Sequence, residues 1–234
     1  MQPKYKRVLL KLSGEALAGE QKHGIDFNIA TEICKAIKEC LNFGVQVGIV
    51  VGGGNFWRGR NSEQFDRSRA DHMGMLATLI NALGLAEVFK SLNVEAQVLT
   101  SLNMQPIAEM YIKDRAVEYL EKGRTVIFAC GTGLPFFSTD TASSLRAAEI
   151  GADIILKATM VDGVYDKDPK KNSDAIRYES LSYAEMLGKN LGVVDITAAS
   201  MCKENSIPLL VFSIENPQNI YDAIVGRPVG TIVR

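Results

Sequence analysis

The sequence predicts an α/β fold built on a mainly parallel sheet, and three observations carry that expectation. Apolar runs of strand length recur at residues 7–12, 45–51, 94–99, 124–130, 153–157 and 207–213. Longer helical patterns separate most of them, which is the alternation that βαβ units produce. Two runs, VLLKLSG and IILKAT, also keep a lysine at the end of an otherwise apolar strand, where a buried ammonium group needs a partner.

The elements follow in order. After the first run, a helix is expected from Asp26, a good N-cap residue, with Ile29, Ile33, Ile37 and Leu41 along one face and a stop at Gly44. Its other face carries Lys35, Lys38 and Glu39. The run at 45–51 leads into VVGGGNFWRG, three glycines with Arg58 four residues on. The next segment, DHMGMLATLINALGLAEVFKSL, spreads Met73, Met75, Leu76, Leu79, Ile80, Leu83, Leu85, Val88 and Phe89 over most of a helix's circumference. Such a helix is expected to be buried nearly all round, either centrally or against a second subunit. The run at 124–130 opens into CGTGLPFFSTDTASSLRAAEIG, a small-residue loop leading to a helix that begins near Ser138 or Thr139. The run at 153–157 opens into the turn-rich ATMVDGVYDKDP. With no Pro/Ser-rich linker and no internal repeat, residues 1–234 read as one domain.

Composition narrows the function. A chain of 234 residues that is 47% hydrophobic and 23% charged can bury a sizeable core, which excludes disorder and coiled coil. Its formal charge of −1, without a basic stripe, offers nothing to neutralise a nucleic-acid backbone, so a small partner is expected. Cys34, Cys40, Cys130 and Cys202 lack C-x-x-C spacing, and His23 and His72 lack metal-site neighbours, so free thiols in a reduced, cytoplasmic setting are expected. The apolar run before Lys11 is too short for a signal segment, and no stretch elsewhere is expected to approach the length and apolarity of a membrane span.

The glycines at 52, 53 and 54 fit neither the dinucleotide fingerprint, where Trp57 replaces the third glycine, nor the P-loop pattern. Their chemistry survives all the same: bare backbone lets N–H groups approach an anion, although a tight turn with positive φ would also call for glycine. Lys11 and Lys157 end neighbouring parallel runs, and ligands of open parallel sheets bind beyond the carboxyl ends of the strands. Alternatively, Lys157 pairs with Asp140 or Asp153 for structural reasons. Phe136 and Phe137 fit either a pocket for a flat polar ring or the core, and Asp162, Asp166 and Asp168 fit solvated turns as well as a site. No Ser/His/Asp or Cys/His constellation is credible. Anion-cradling loops, two crevice lysines and Arg58 point to phosphoryl transfer.

The segments KLSGEAL, VGGGNFWRG, ADHMGMLAT, GTGLPFFSTD and LKATMVDGVYDKDP, in this order, resemble the amino acid kinase family essentially end to end. The resemblance implies a three-layer αβα sandwich and phosphorylation of UMP to UDP by ATP, with Mg²⁺ carried mainly by phosphates and water, in pyrimidine nucleotide synthesis. It places Lys11, Leu12, Ser13, Gly14, Gly54 and Arg58 on the ATP phosphates and Thr159, Tyr165 and Asp168 around the adenosine. It places Gly53, Asp71, Thr132, Gly133, Leu134, Pro135, Phe136, Phe137, Ser138 and Thr139 on UMP. Lys157 falls where a cation meets the transferred group, and Asp140 where a carboxylate organises it, making Lys11, Arg58, Asp140 and Lys157 the catalytic set. Members that phosphorylate UMP are often homohexamers activated by GTP and inhibited by UTP, and residues 19–24 lie where part of the GTP-responsive surface is expected. The segments DHMGM and GTGLPFFSTD argue against a small amino acid as acceptor. A nucleotide sensor and a nicotinamide-dependent enzyme are the readings from other classes.

Overall fold

The computed structural model describes residues 2–57, 65–169 and 171–234. The chain runs through β1 (Arg7–Leu12), α1 (Gly14–Ala18), α2 (Phe27–Asn42), β2 (Gln46–Val51), α3 (Arg67–Ser91), β3 (Ala96–Thr100), β4 (Glu109–Met110), α4 (Lys113–Glu121) and β5 (Thr125–Ala129). It continues through α5 (Thr139–Ile150), β6 (Ile154–Thr159), β7 (Ser180–Leu181), α6 (Tyr183–Gly188), α7 (Ile196–Glu204), β8 (Leu209–Ser213), α8 (Gln218–Ile224) and β9 (Thr231–Val233). Each of the six apolar runs contains one of the strands β1, β2, β3, β5, β6 and β8, with ends shifted by a residue or two. The strands β4, β7 and β9, of two or three residues, have no apolar run to announce them.

The described strands form one sheet in the order β4-β3-β5-β2-β1-β6-β8-β9-β7. Its pairings are parallel except β8 with β9. Side chains alternate between its faces. Val8, Leu10, Leu12, Ile49 and Leu156 pack under α1, α2, α3 and α8, whereas Leu9, Val50, Phe128 and Ile155 pack under α4, α5, α6 and α7. This gives the three αβα layers. Lys11 stands in register with Lys157 on the adjacent strand, and both continue the face of Leu9 and Ile155. The alternation that buries the leucine therefore aims both ammonium groups at the side where α5 begins.

The helix expected after Asp26 is α2. The Asp26 carboxylate accepts from the N–H groups of Asn28 and Ile29, Ile33 and Ile37 are fully buried, and Gly44 follows the last turn with φ 77°. α3 departs from the all-round burial expected of it. Met75, Leu79, Leu85, Val88 and Phe89 are buried, but Leu76, Ile80 and Leu83 are 44%, 49% and 37% exposed and lie on one stripe at i, i+4 and i+7. It is also the one helix among the described residues long and apolar enough, by length and composition, to cross a membrane, which corrects the expectation that no such stretch exists. Half of its most apolar window packs inside the protein, as in a core helix.

A buried amide pair ties this helix to the strand ends. Asn81 and Asn55 exchange side-chain hydrogen bonds of 2.7 and 2.9 Å; Asn81 also donates to the Gly52 carbonyl at 2.7 Å, and Asn55 to that of Gly24 at 2.6 Å. Their four amide donors and two carbonyl oxygens are thereby engaged without water, which fixes the glycine loop against α3.

Candidate active site

The glycine loop after β2 is explained by close approach. None of Gly52, Gly53 and Gly54 has a positive φ, so the turn explanation fails for all three. A Cβ on Gly53 would stand 2.8 Å from the Ala77 Cβ and from the Gly74 carbonyl of α3. A Cβ on Gly14, at the start of α1, would stand 2.5 Å from Asn55 Oδ1 and 2.6 Å from the Gly52 carbonyl. The loops after β1 and β2 therefore pack backbone to backbone, and Gly54 keeps a looser contact, 3.4 Å to Glu15 Oε1. Arg58 lies outside the described residues.

The paired lysines meet one carboxylate. Asp140, in the first turn of α5, faces Lys11 Nζ at 3.0 Å through Oδ1 and accepts from Lys157 Nζ at 2.7 Å through Oδ2. The Lys11 contact is ionic rather than a well-aligned hydrogen bond. Of the two partners foreseen for Lys157, topology selects Asp140. Asp153 lies at the opposite, amino end of the strands and accepts from the backbone N–H groups of Lys6 and Arg7. Burial alone would push the Asp140 carboxyl up, but Lys11 and Lys157 overcome it and hold the group below the ordinary carboxylate value. Burial pulls the Lys157 ammonium below the ordinary lysine value, with Asp140 opposing, Lys11 adding to the fall and Asp195 opposing it.

Two clefts open on either side of Asp140. One, of about 410 Å³, is lined by Lys11, Gly53, Gly54, Asp71, Thr132, Leu134, Phe137, Ser138 and Thr139 among others. The second, of about 820 Å³, shares Asp71, Phe137, Ser138 and Asp140 with it and continues along residues 190–197. The loop over residues 132–138 is held open toward them. Phe136 and Phe137 are 65% and 47% exposed, so the core reading of these rings is overturned. Phe136 sits at φ 73°, rare for a residue with a side chain, and its N–H donates to Asp71 at 2.8 Å. Asp71 also accepts from Arg67 Nε at 3.0 Å, and the Arg67 guanidinium stands 5.6 Å from the Phe136 ring centre. Gly133 has φ 80°, and Ser138 caps α5 by accepting from the N–H groups of Asp140 and Thr141.

Thr159, Tyr165 and Asp168 are placed elsewhere. Thr159 ends β6, while Tyr165 donates to Asp162 at 2.7 Å in the following loop. Asp162, Asp166 and Asp168 are exposed, as turn acids are; Asp162 pairs with Arg177, and Asp166 accepts from the Ile176 N–H at 2.8 Å. Neither cleft includes these three site candidates, which lie beyond the end of the strand next to β1. Sequence reasoning missed Arg67, the Asn55–Asn81 pair and residues 193–195, of which Asp195 carried only the signal of a helix cap before ITAAS.

Two in-register lysines bridged by a carboxylate, beside backbone loops at the carboxyl edge of a parallel sheet, make a site suited to handling phosphoryl groups. The chain belongs to the amino acid kinase family, whose profile matches residues 6–213. It is similar to the crystal structure of UMP kinase from Bacillus anthracis, at 40% identity over 98% of this chain and 96% of that one, with a TM-score of 0.95. It is also similar to UMP kinase from Ureaplasma parvum (38% identity, 98% and 99% covered, TM-score 0.93). A third similar structure is uridylate kinase from Archaeoglobus fulgidus (30%, 97% and 99%, TM-score 0.75).

The lowered Lys157 ammonium has a kinetic consequence. A cation that must keep its proton to stabilise charge loses it earlier when its pKa is lowered, so kcat/KM should fall on the alkaline side below pH 10.5. A pH profile locates that limb, and the residual activity of Lys157→Arg should lack it, because arginine stays charged. The same limb in that variant would assign the titration to another group.

Proposed function

We propose that this chain transfers the γ-phosphoryl group of ATP to UMP, giving UDP and ADP. An oxygen of the UMP phosphate bonds to the γ-phosphorus while the bond to the ADP oxygen breaks, in line. The observation that carries this reading is the pair Lys11 and Asp140 lining the cleft between the glycine loop and the loop over residues 132–139, with Lys157 bonded to Asp140. The similarity of the whole chain to UMP kinases supports UMP as the acceptor. Lys11, Leu12, Ser13, Gly14, Gly54 and Arg58 would hold the ATP phosphates, and Thr159, Tyr165 and Asp168 the adenosine. Gly53, Asp71 and residues 132–139 would hold UMP, with Asp71 on the ribose. Lys157 would meet charge on the transferred group while Asp140 pairs with both lysines and aims them.

Mg²⁺ would neutralise phosphate charge when bound. Among the described residues no three His, Cys, Asp or Glu gather as a metal site, and Asp140 is engaged by two ammonium groups. This donor set fits an ion carried by the phosphates and water. We further propose that the chain works as one domain in the cytoplasm and as a homohexamer, with GTP as activator and UTP as inhibitor. The exposed Leu76, Ile80 and Leu83 stripe supports a subunit contact on α3.

Transfer should require UMP and discriminate strongly against CMP, because a polar pocket rejects a mismatched hydrogen-bonding edge well. Release of ADP with UMP, CMP, acetylglutamate and aspartate as acceptors tests this. Equal kcat/KM for UMP and CMP would refute the acceptor assignment, and ATP binding without any transfer would favour a sensor.

Assembly is tested on α3. Leu83→Asp, at an exposed position, should leave the subunit folded but break the oligomer, whereas Leu79→Asp, at a buried one, should unfold it. Light scattering together with circular dichroism separates the two effects, and a wild-type chain of 25.6 kDa in solution at micromolar concentration would contradict the assembly.

A further inference from the structure

Both Lys157 and Asp140 are held by a short stretch that carries no motif. The carbonyl of Val193 accepts from Lys157 Nζ. Two residues on, the Asp195 carboxylate accepts from the hydroxyl of Ser138 and from that of Thr141, the latter at 3.0 and 3.2 Å. Asp195 also caps α7 by accepting from the Ala198 N–H at 2.9 Å. Ser138 and Thr141 flank Asp140 in sequence, 54 residues or more from Asp195, so these bonds join α7 to the start of α5.

The direction of these bonds matters. A hydroxyl has one proton and two lone pairs. Ser138 gives its proton to Asp195, which turns its lone pairs toward the N–H groups of Asp140 at 3.0 Å and Thr141 at 3.1 Å. The carboxylate, acceptor-only when ionised, thus sets the polarity of the cap that positions the Asp140 backbone. Asp140 in turn orients Lys157, whose ammonium has three N–H donors. Two of these go to Asp140 and Val193.

We propose that Asp195 is a positioning residue for phosphoryl transfer, acting through the Ser138 and Thr141 hydroxyls to aim Asp140 and, with the Val193 carbonyl, to hold Lys157 in its reactive orientation. The inference rests on the phosphoryl-transfer reading. A cap serving only α7 would also bind the Ala198 N–H, but it would not couple to Thr141 or to the titration of Lys157. The charged groups facing Lys157 are Asp140 from α5, Lys11 from β1 and Asp195 from the start of α7. Removing the Asp195 charge takes away one of the two that favour its protonated form.

The test uses the full chain with ATP, Mg²⁺ and UMP, and compares Asp195→Asn, Asp195→Ala, Thr141→Val and the double variant Asp195→Asn/Thr141→Val, each with a thermal melt. Asp195→Asn and Asp195→Ala should lower kcat by about tenfold to a hundredfold, the scale of a lost hydrogen bond to a charged group. KM for UMP should change less than kcat, since Ser138 is the one UMP-side residue that Asp195 contacts. The alkaline limb of kcat/KM should move to lower pH in Asp195→Asn, and the double variant should be no slower than Asp195→Asn. A folded Asp195→Asn with wild-type kcat, a loss confined to KM, an unmoved limb or fully additive losses would each overturn the proposal. If Asp195→Ala does not fold, Asp195→Asn and Thr141→Val decide. A wild-type chain that transfers nothing to UMP would overturn the phosphoryl-transfer reading and this inference with it, whereas an active wild type beside unaffected variants would overturn this inference alone.

Discussion

The carboxylate of Asp140 lies between two ammonium groups whose side chains are 14% and 9% exposed, and most of the active-site architecture depends on that arrangement. Two buried lysines in register on adjacent strands would repel each other and each pay for lost hydration. One carboxylate serves both, and removing a partner from such a buried cluster typically costs about 3–5 kcal/mol. The cluster is possible because the β1–β6 register puts both lysines on one face and the start of α5 delivers Asp140 to that face. Phosphoryl transfer gains from this because fixed charges in a water-poor crevice need not reorganise as the reaction proceeds.

Much of the fold was legible because its strands are long apolar runs. The lysines were legible for the same reason: a charge inside such a run is conspicuous. Of the two carboxylates offered to Lys157, local sequence could not choose. The choice needed β6 as an extended strand, which leaves Asp153 at its amino end, and α5 to bring Asp140 to its carboxyl end. The glycines at 52–54 were legible as bare backbone, but their cause, contact with α3 and with Gly14, is tertiary. Strands of two or three residues such as β4 and β7 exist only through their neighbours, and no local pattern marks them. Asp195 reads locally as a cap, and its second role depends on hydroxyls more than fifty residues away.

α3 shows how one segment can satisfy two demands that a hydrophobic pattern merges. Its buried face carries the core residues and Asn81, which anchors the glycine loop, while its outer face keeps Leu76, Ile80 and Leu83 in the open. At its start, Asp71 reaches the exposed loop through the Phe136 N–H. The helix therefore spans from the core to the loop over residues 132–138, and it touches both that loop and the glycine loop. Phe136, held at positive φ with its ring exposed, is the clearest case of local backbone cost in the loop beside the clefts.

Asp140 opposes the fall that burial imposes on the Lys157 ammonium. Carbon-13 lysine NMR, following the Cε signal of Lys157 against pH in the wild type and in Asp140→Asn, tests this without reference to turnover. Lys157 of the wild type should titrate below the ordinary lysine value, and its pKa should fall further in Asp140→Asn. An unchanged Lys157 titration in a folded Asp140→Asn chain would contradict it.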